Sequence, residues 1–178
     1  ASRARAENLI KFRRTILMAQ VRIADSYFAN LADYPEAIKL YHQLLKEPDE
    51  ELVVENTRFK LIHAMMRHCL NLADNADDNA KLRANPALPR ERDAALRELV
   101  LETTRFLVEH PRSDYRAQIR YLRAMAHEQL GDRRSADKDF YTLIETPAEE
   151  GEHNKWSFWK LGMVGLFTNR IVDSFCLC

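Results

Sequence analysis

The sequence predicts an all-α protein: one domain built of antiparallel helix pairs, about seven helices in all. Three observations lead there. Apolar residues recur every three or four positions along most of the chain, the period of a helix that buries one face. Only 4 Gly and 6 Pro punctuate the 178 residues, too few turn signals for a β-sandwich or barrel. Finally, two segments repeat each other without a gap at an offset of 99 residues.

The elements follow in order. A first helix over about 6–31 carries Leu9, Phe12, Ile16, Ala19, Ile23, Ala24, Tyr27 and Phe28 as its expected buried stripe. Pro35 suits the first turn of a second helix running to about Lys46, with Ala37, Ile38, Tyr41, Leu44 and Leu45 inward. Pro48 ends it. A third helix, 51–73, packs Val54, Phe59, Ile62, Met66, Cys69 and Leu70. Residues 74–90 then read as a long loop. Its acidic start does not make a calcium loop, because Ala76 takes a ligand place and the required Gly and terminal Glu are missing.

A fourth helix over 91–109 turns Leu96, Leu99, Val100, Thr103, Phe106 and Leu107 inward and stops at Pro111. Ser113 or Asp114 can cap the fifth, which reaches Leu130 with Ile119, Leu122 and Ala126 on its apolar face. Gly131 is free to take a positive φ after that helix. The sixth, 134–144, buries Ala136, Phe140, Leu143 and Ile144. A seventh is expected over 153–175, where Trp156, Phe158, Trp159, Leu161 and Met163 leave the stretch apolar nearly all round. Such a helix either forms an assembly surface, as in a homo-oligomer or a larger complex, or packs into this chain's own core.

The repeat pairs ADSYFANLADYPEAIKLYHQLLKEP (24–48) with RAMAHEQLGDRRSADKDFYTLIETP (123–147). Asp33 aligns with Asp132, Ala37 with Ala136, Tyr41 with Phe140, Leu44 with Leu143 and Pro48 with Pro147. A small residue early in the second helix of each unit lets two helices approach closely, and the aromatic one turn later fills the space beside it. The offset is three periods of 33 (3 × 33 = 99), near the length of a helix–turn–helix repeat. On these residues the chain resembles the tetratricopeptide-repeat family, which implies a right-handed stack of the antiparallel helix pairs. The likeness places one repeat at 18–50, an interrupted one at 51–112 and a third at 114–147. In the middle unit Val100 stands where a small residue is expected and Thr104 where an aromatic is. The segment FLVEHPRSDYRAQIRYLRAMAHEQLGD (106–132) resembles bacterial envelope versions of the family, those of the Tol-Pal system and of outer-membrane assembly. That implies a periplasmic or envelope-associated setting, with the cytoplasm as the alternative.

The resemblance implies a groove lined by the first helix of each unit. The matching positions are Arg22, Ser26 and Asn30 in the first and Gln118, Tyr121, Met125 and Gln129 in the last. In the middle helix Asn56, Lys60, His63 and Arg67 form a polar stripe at i, i+4, i+7 and i+11. Arg22, Lys60 and Arg67 would make the groove basic, suited to an acidic peptide or a C-terminal carboxylate. An ordinary solvated helix face is the competing reading of the same residues.

No chemistry announces itself. Lys+Arg and Asp+Glu are 27 each, so no global basic field attracts nucleic acid. Arg3, Arg5, Lys11, Arg13 and Arg14 are clustered, but no aromatic pattern for stacking bases accompanies them. His63 and His68 are five apart, off the i, i+4 spacing of a zinc pair on a helix. No phosphate-cradling glycine loop and no GxSxG can be written. Cys69 reads as a buried small hydrophobe, and Cys176 and Cys178 as a tail. No apolar run reaches membrane-spanning length. The expectation is a non-enzymatic interaction scaffold without cofactor or metal, binding a protein or peptide. An all-α enzyme or a structural subunit of a larger complex are the alternatives.

Overall fold

The computed structural model describes residues 2–46 and 51–145. They form seven helices and no strand: α1 (Ser2–Ala29), α2 (Tyr34–Lys46), α3 (Glu51–Asp77), α4 (Asn79–Ala84), α5 (Leu88–Glu109), α6 (Arg116–Gln129) and α7 (Arg133–Glu145). Each long helix packs on the next, α1 on α2, α2 on α3, α3 on α5, α5 on α6 and α6 on α7. A further contact joins α3 to α6. The architecture is the helical repeat that the sequence predicts, with α1/α2, α3/α5 and α6/α7 as its pairs. The expected helix 153–175 lies outside the described residues, and the short α4 makes up the seven instead.

The repeated residues adopt repeated geometry. Ala32 has φ +52° and its aligned partner Gly131 has φ +78°, so both turns pass through the left-handed region. One residue on, Asp33 Oδ1 accepts from the Glu36 amide at 3.2 Å and Asp132 Oδ1 from the Ser135 amide at 3.2 Å. Each aspartate thereby caps the helix it precedes. Ala37 and Ala136 are fully buried, and Tyr41 and Phe140 beside them nearly so. Helix pairs approach closely at these alanines because there is no side chain beyond Cβ to hold them apart.

Four expectations are corrected. Residues 74–90 are mostly helical: α3 continues to Asp77, and Asp78 starts α4 by accepting from the Ala80 and Lys81 amides at 2.8 and 3.3 Å. Asn85 Oδ1 then holds the Ala87 amide at 3.1 Å, which leads directly into α5 with a proline in its first turn. The polar residues read as loop-formers act as caps between helices.

The stripe on α1 is also different. Leu17, Val21 and Ala24 are buried, at i, i+4 and i+7, while Phe12 (67%), Ile16 (44%) and Ile23 (52%) are exposed. This helix carries apolar residues on two adjoining faces, and packing on α2 selects one of them. In α5 the inward residues are those expected, with Leu96, Leu99, Thr103, Phe106 and Leu107 buried and Val100 half-buried. Only the repeat frame is corrected, because Thr104 is exposed. The inward register therefore runs one residue before the frame of Val100 and Thr104. Thr103 satisfies its hydroxyl by donating within its own helix, at 2.8 Å from Leu99 O and 2.9 Å from Val100 O. Ser113 does not cap α6 itself, which begins at Arg116. Its Oγ accepts from the Tyr115 amide at 3.1 Å and donates to Glu55 Oε1 at 2.5 Å, pinning the turn to α3.

Candidate partner-binding face

Successive residues of a helix are rotated by about 100°, so Asn56, Lys60, His63 and Arg67 share one side of α3. Two contacts show which neighbours flank that side. Lys60 Nζ donates to Asp25 Oδ2 of α1 at 2.6 Å. Across the stripe, the Gln118 amide of α6 lies 2.8 Å from His63 Nε2. The first helices of the three pairs, α1, α3 and α6, therefore meet along one face. The polar groups expected on that face are cross-braced there.

Asp25 is the hub at the α1 end, and sequence reasoning did not single it out. Its second oxygen accepts from the Tyr41 hydroxyl at 2.6 Å. Burial and the neighbouring carboxylate push the Tyr41 phenol well above its ordinary range. An acidic residue set between Ala24 and Ser26 in the otherwise uncharged stretch 23–32 is the one signal that could have drawn notice. At the α6 end, burial holds His63 below the usual imidazole range, and the neutral ring accepts from the Gln118 amide. Phe59 packs under this pair, with its ring centroid 4.6 Å from His63 and 4.0 Å from Tyr115.

The other expected positions divide into two groups. Arg22, Asn30, Asn56 and Arg67 are exposed, and Ser26 holds the Asn30 amide at 3.1 Å. Tyr121 and Met125 are half-buried and pack against the core. Tyr121 meets Phe140 edge-on at 6.2 Å, which directs it toward α7. Gln129 is half-buried too. Trp156 and Trp159 lie outside the described residues. Lys60 shares its charge with Asp25, so the cations of the expected trio without an ion pair among the described residues are Arg22 and Arg67.

A second polar feature also escaped sequence reasoning. Asp139 is 4% exposed and accepts two bonds from Arg123, at 2.7 and 2.6 Å. Arg123 reaches Thr104 Oγ1 of α5 as well, at 3.2 Å. One guanidinium thus ties α5, α6 and α7 together behind the face.

Paired helices in register, a capped turn repeated between them and a polar face built from their first members define a helical-repeat protein. Residues 18–49 match a family model described as a tetratricopeptide repeat. No curated protein and no solved structure matches the chain. The matched segment takes in the C-terminal part of α1 and all of α2, and it supports a tetratricopeptide-repeat family, whose members typically act as protein-interaction scaffolds rather than enzymes. Among the described residues no helix is long and apolar enough to cross a membrane.

Proposed function

We propose that the chain is an interaction scaffold that holds an acidic peptide or a C-terminal carboxylate against the face of α1, α3 and α6. The observation that carries this reading is the cross-bracing at Asp25–Lys60 and His63–Gln118. These bonds fix three helices as one platform and leave Arg22 and Arg67 exposed upon it. A pre-ordered surface loses little entropy when it binds, and charge-assisted bonds from guanidinium to carboxylate are strong and directional. No reacting group is needed, and the reading invokes none. The resemblance of residues 106–132 to envelope versions of the family would place the partner among bacterial envelope proteins.

Isothermal titration with an acidic peptide ending in a free carboxylate, and with its amidated form, tests the proposal. The free acid should bind more tightly, and Arg22→Glu with Arg67→Glu should weaken it at least tenfold at low salt. Lys60 is a poor probe, because reversing it also breaks the contact with Asp25. Equal binding by the charge-reversed protein would refute the reading.

A further inference from the structure

On the opposite side of α3, its residues Met65 and Leu72 form an open cleft with Ile38 of α2 and with Glu91, Ala95 and Glu98 of α5. Its volume is about 550 Å³, within the range of ligand-binding clefts. At about 100° per residue, Met65, His68 and Leu72 point roughly 140° away from the stripe of Asn56, Lys60, His63 and Arg67. The cleft and the polar face are therefore separate surfaces.

We infer that this cleft docks a second partner: a protein segment that presents an apolar side chain between lysines or arginines. The chemistry of the walls carries the inference. Small and flexible apolar side chains make the floor, Ala95 giving depth and Met65 giving adaptability. Carboxylates stand at both ends of the α5 wall. Glu91 and Glu98 are seven residues apart, about 10.5 Å along the helix, and both are exposed. Cations two helical turns apart on a partner helix meet that spacing.

Of the cations on α5, the exposed Arg90 and Arg97 stand beside Glu91 and Glu98 in sequence but are turned about 100° round the helix and do not line the cleft. Lys39 on α2 is paired with Glu36 at 2.9 Å, and Arg92 on α5 with Asp93 at 2.9 Å. His42 Nε2 approaches Glu98 only to 4.0 Å. His68, which also lines the cleft, is held below the usual imidazole range by burial, so its ring is neutral near pH 7. Asn85 Nδ2 lies 3.4 Å from both oxygens of Glu91 and orients that carboxylate.

The test uses the full chain, isotopically labelled, and two synthetic helical peptides with the same leucine face. One peptide is flanked by lysines two turns apart, the other by glutamates at the same places. The lysine peptide should bind and shift the resonances of Ile38, Met65, Leu72 and Ala95, while the glutamate peptide should not. Glu98→Lys should weaken the lysine peptide at least tenfold at low salt. That residue is solvent-exposed and within the helix, so circular dichroism should be unchanged. Glu91→Lys should act in the same direction as an independent variant. Equal binding of the two peptides, shifts confined to Asn56, His63 and Gln118, or full affinity in Glu98→Lys would each overturn the inference. Self-association of the unmodified chain that Glu98→Lys abolishes would overturn it too, by making a second copy the occupant.

Discussion

Replacing Asp139 by alanine should be among the most damaging single changes in this chain. The carboxylate is 4% exposed and receives two bonds of 2.7 and 2.6 Å from a guanidinium whose side chain is 20% exposed. Removing one partner of a buried ion pair typically costs about 3–5 kcal/mol, because the other charge stays desolvated. Arg123 keeps some access to water, which puts the expected loss at the lower end, about 3 kcal/mol. For a chain of this size that lowers Tm by about 6–12 °C. Urea denaturation followed by circular dichroism measures it directly, with an unchanged slope showing that the folded state survives. The double variant Arg123→Met/Asp139→Leu should recover most of the loss, because neither member of the pair is then left behind without the other. A cost below about 1 kcal/mol for Asp139→Ala would refute the assignment of this pair as the tie between α6 and α7.

Two further predictions concern the repeated turn and the alkaline limit. Ala32 pays for a left-handed backbone at φ +52°, so Ala32→Gly should stabilise by about 0.5–1 kcal/mol in thermal or urea unfolding. Gly131→Ala should cost about 1 kcal/mol from backbone strain alone, since no heavy atom lies within 4 Å of the added Cβ. In the folded chain the Tyr41 phenol is held above its ordinary value of 10.0 and the Cys69 thiol is pushed up to about 12 from 9.0. The folded state therefore keeps protons that the unfolded state releases, so stability should fall as pH rises above 9 and more steeply above 10. Tyr41→Phe should lose about 1 kcal/mol at neutral pH with its hydrogen bond. The same variant should show a shallower alkaline decline in urea titrations across that range.

The parts of the fold legible in sequence are those decided within one or two turns of chain. Asp33 and Asp132 were readable as turn residues, and Gly131 as a residue that tolerates positive φ. Ala37, Tyr41, Ala136 and Phe140 were readable as the packing pairs. Each of these choices depends on neighbours three or four residues away, and the repeat states them twice. The capped helix α4 was less legible, because Asp78 and Asn85 have the same composition as a loop and differ only in where their side chains bond. On the candidate face, the polar stripe of α3 followed from spacing, whereas the inward packing of Tyr121 and Met125 did not.

By itself the sequence determined the all-α class, the pairing of helices and the residues that let them approach, since period and small-residue placement are local properties. Tertiary structure decided which of two apolar faces α1 buries, because both have helical spacing and only contact with α2 separates them. It also decided the fate of the charges. Asp25 meets Lys60 across 35 residues of chain and Arg123 meets Asp139 across 16. An ion pair between helices is set by their crossing, and no window of sequence contains a crossing.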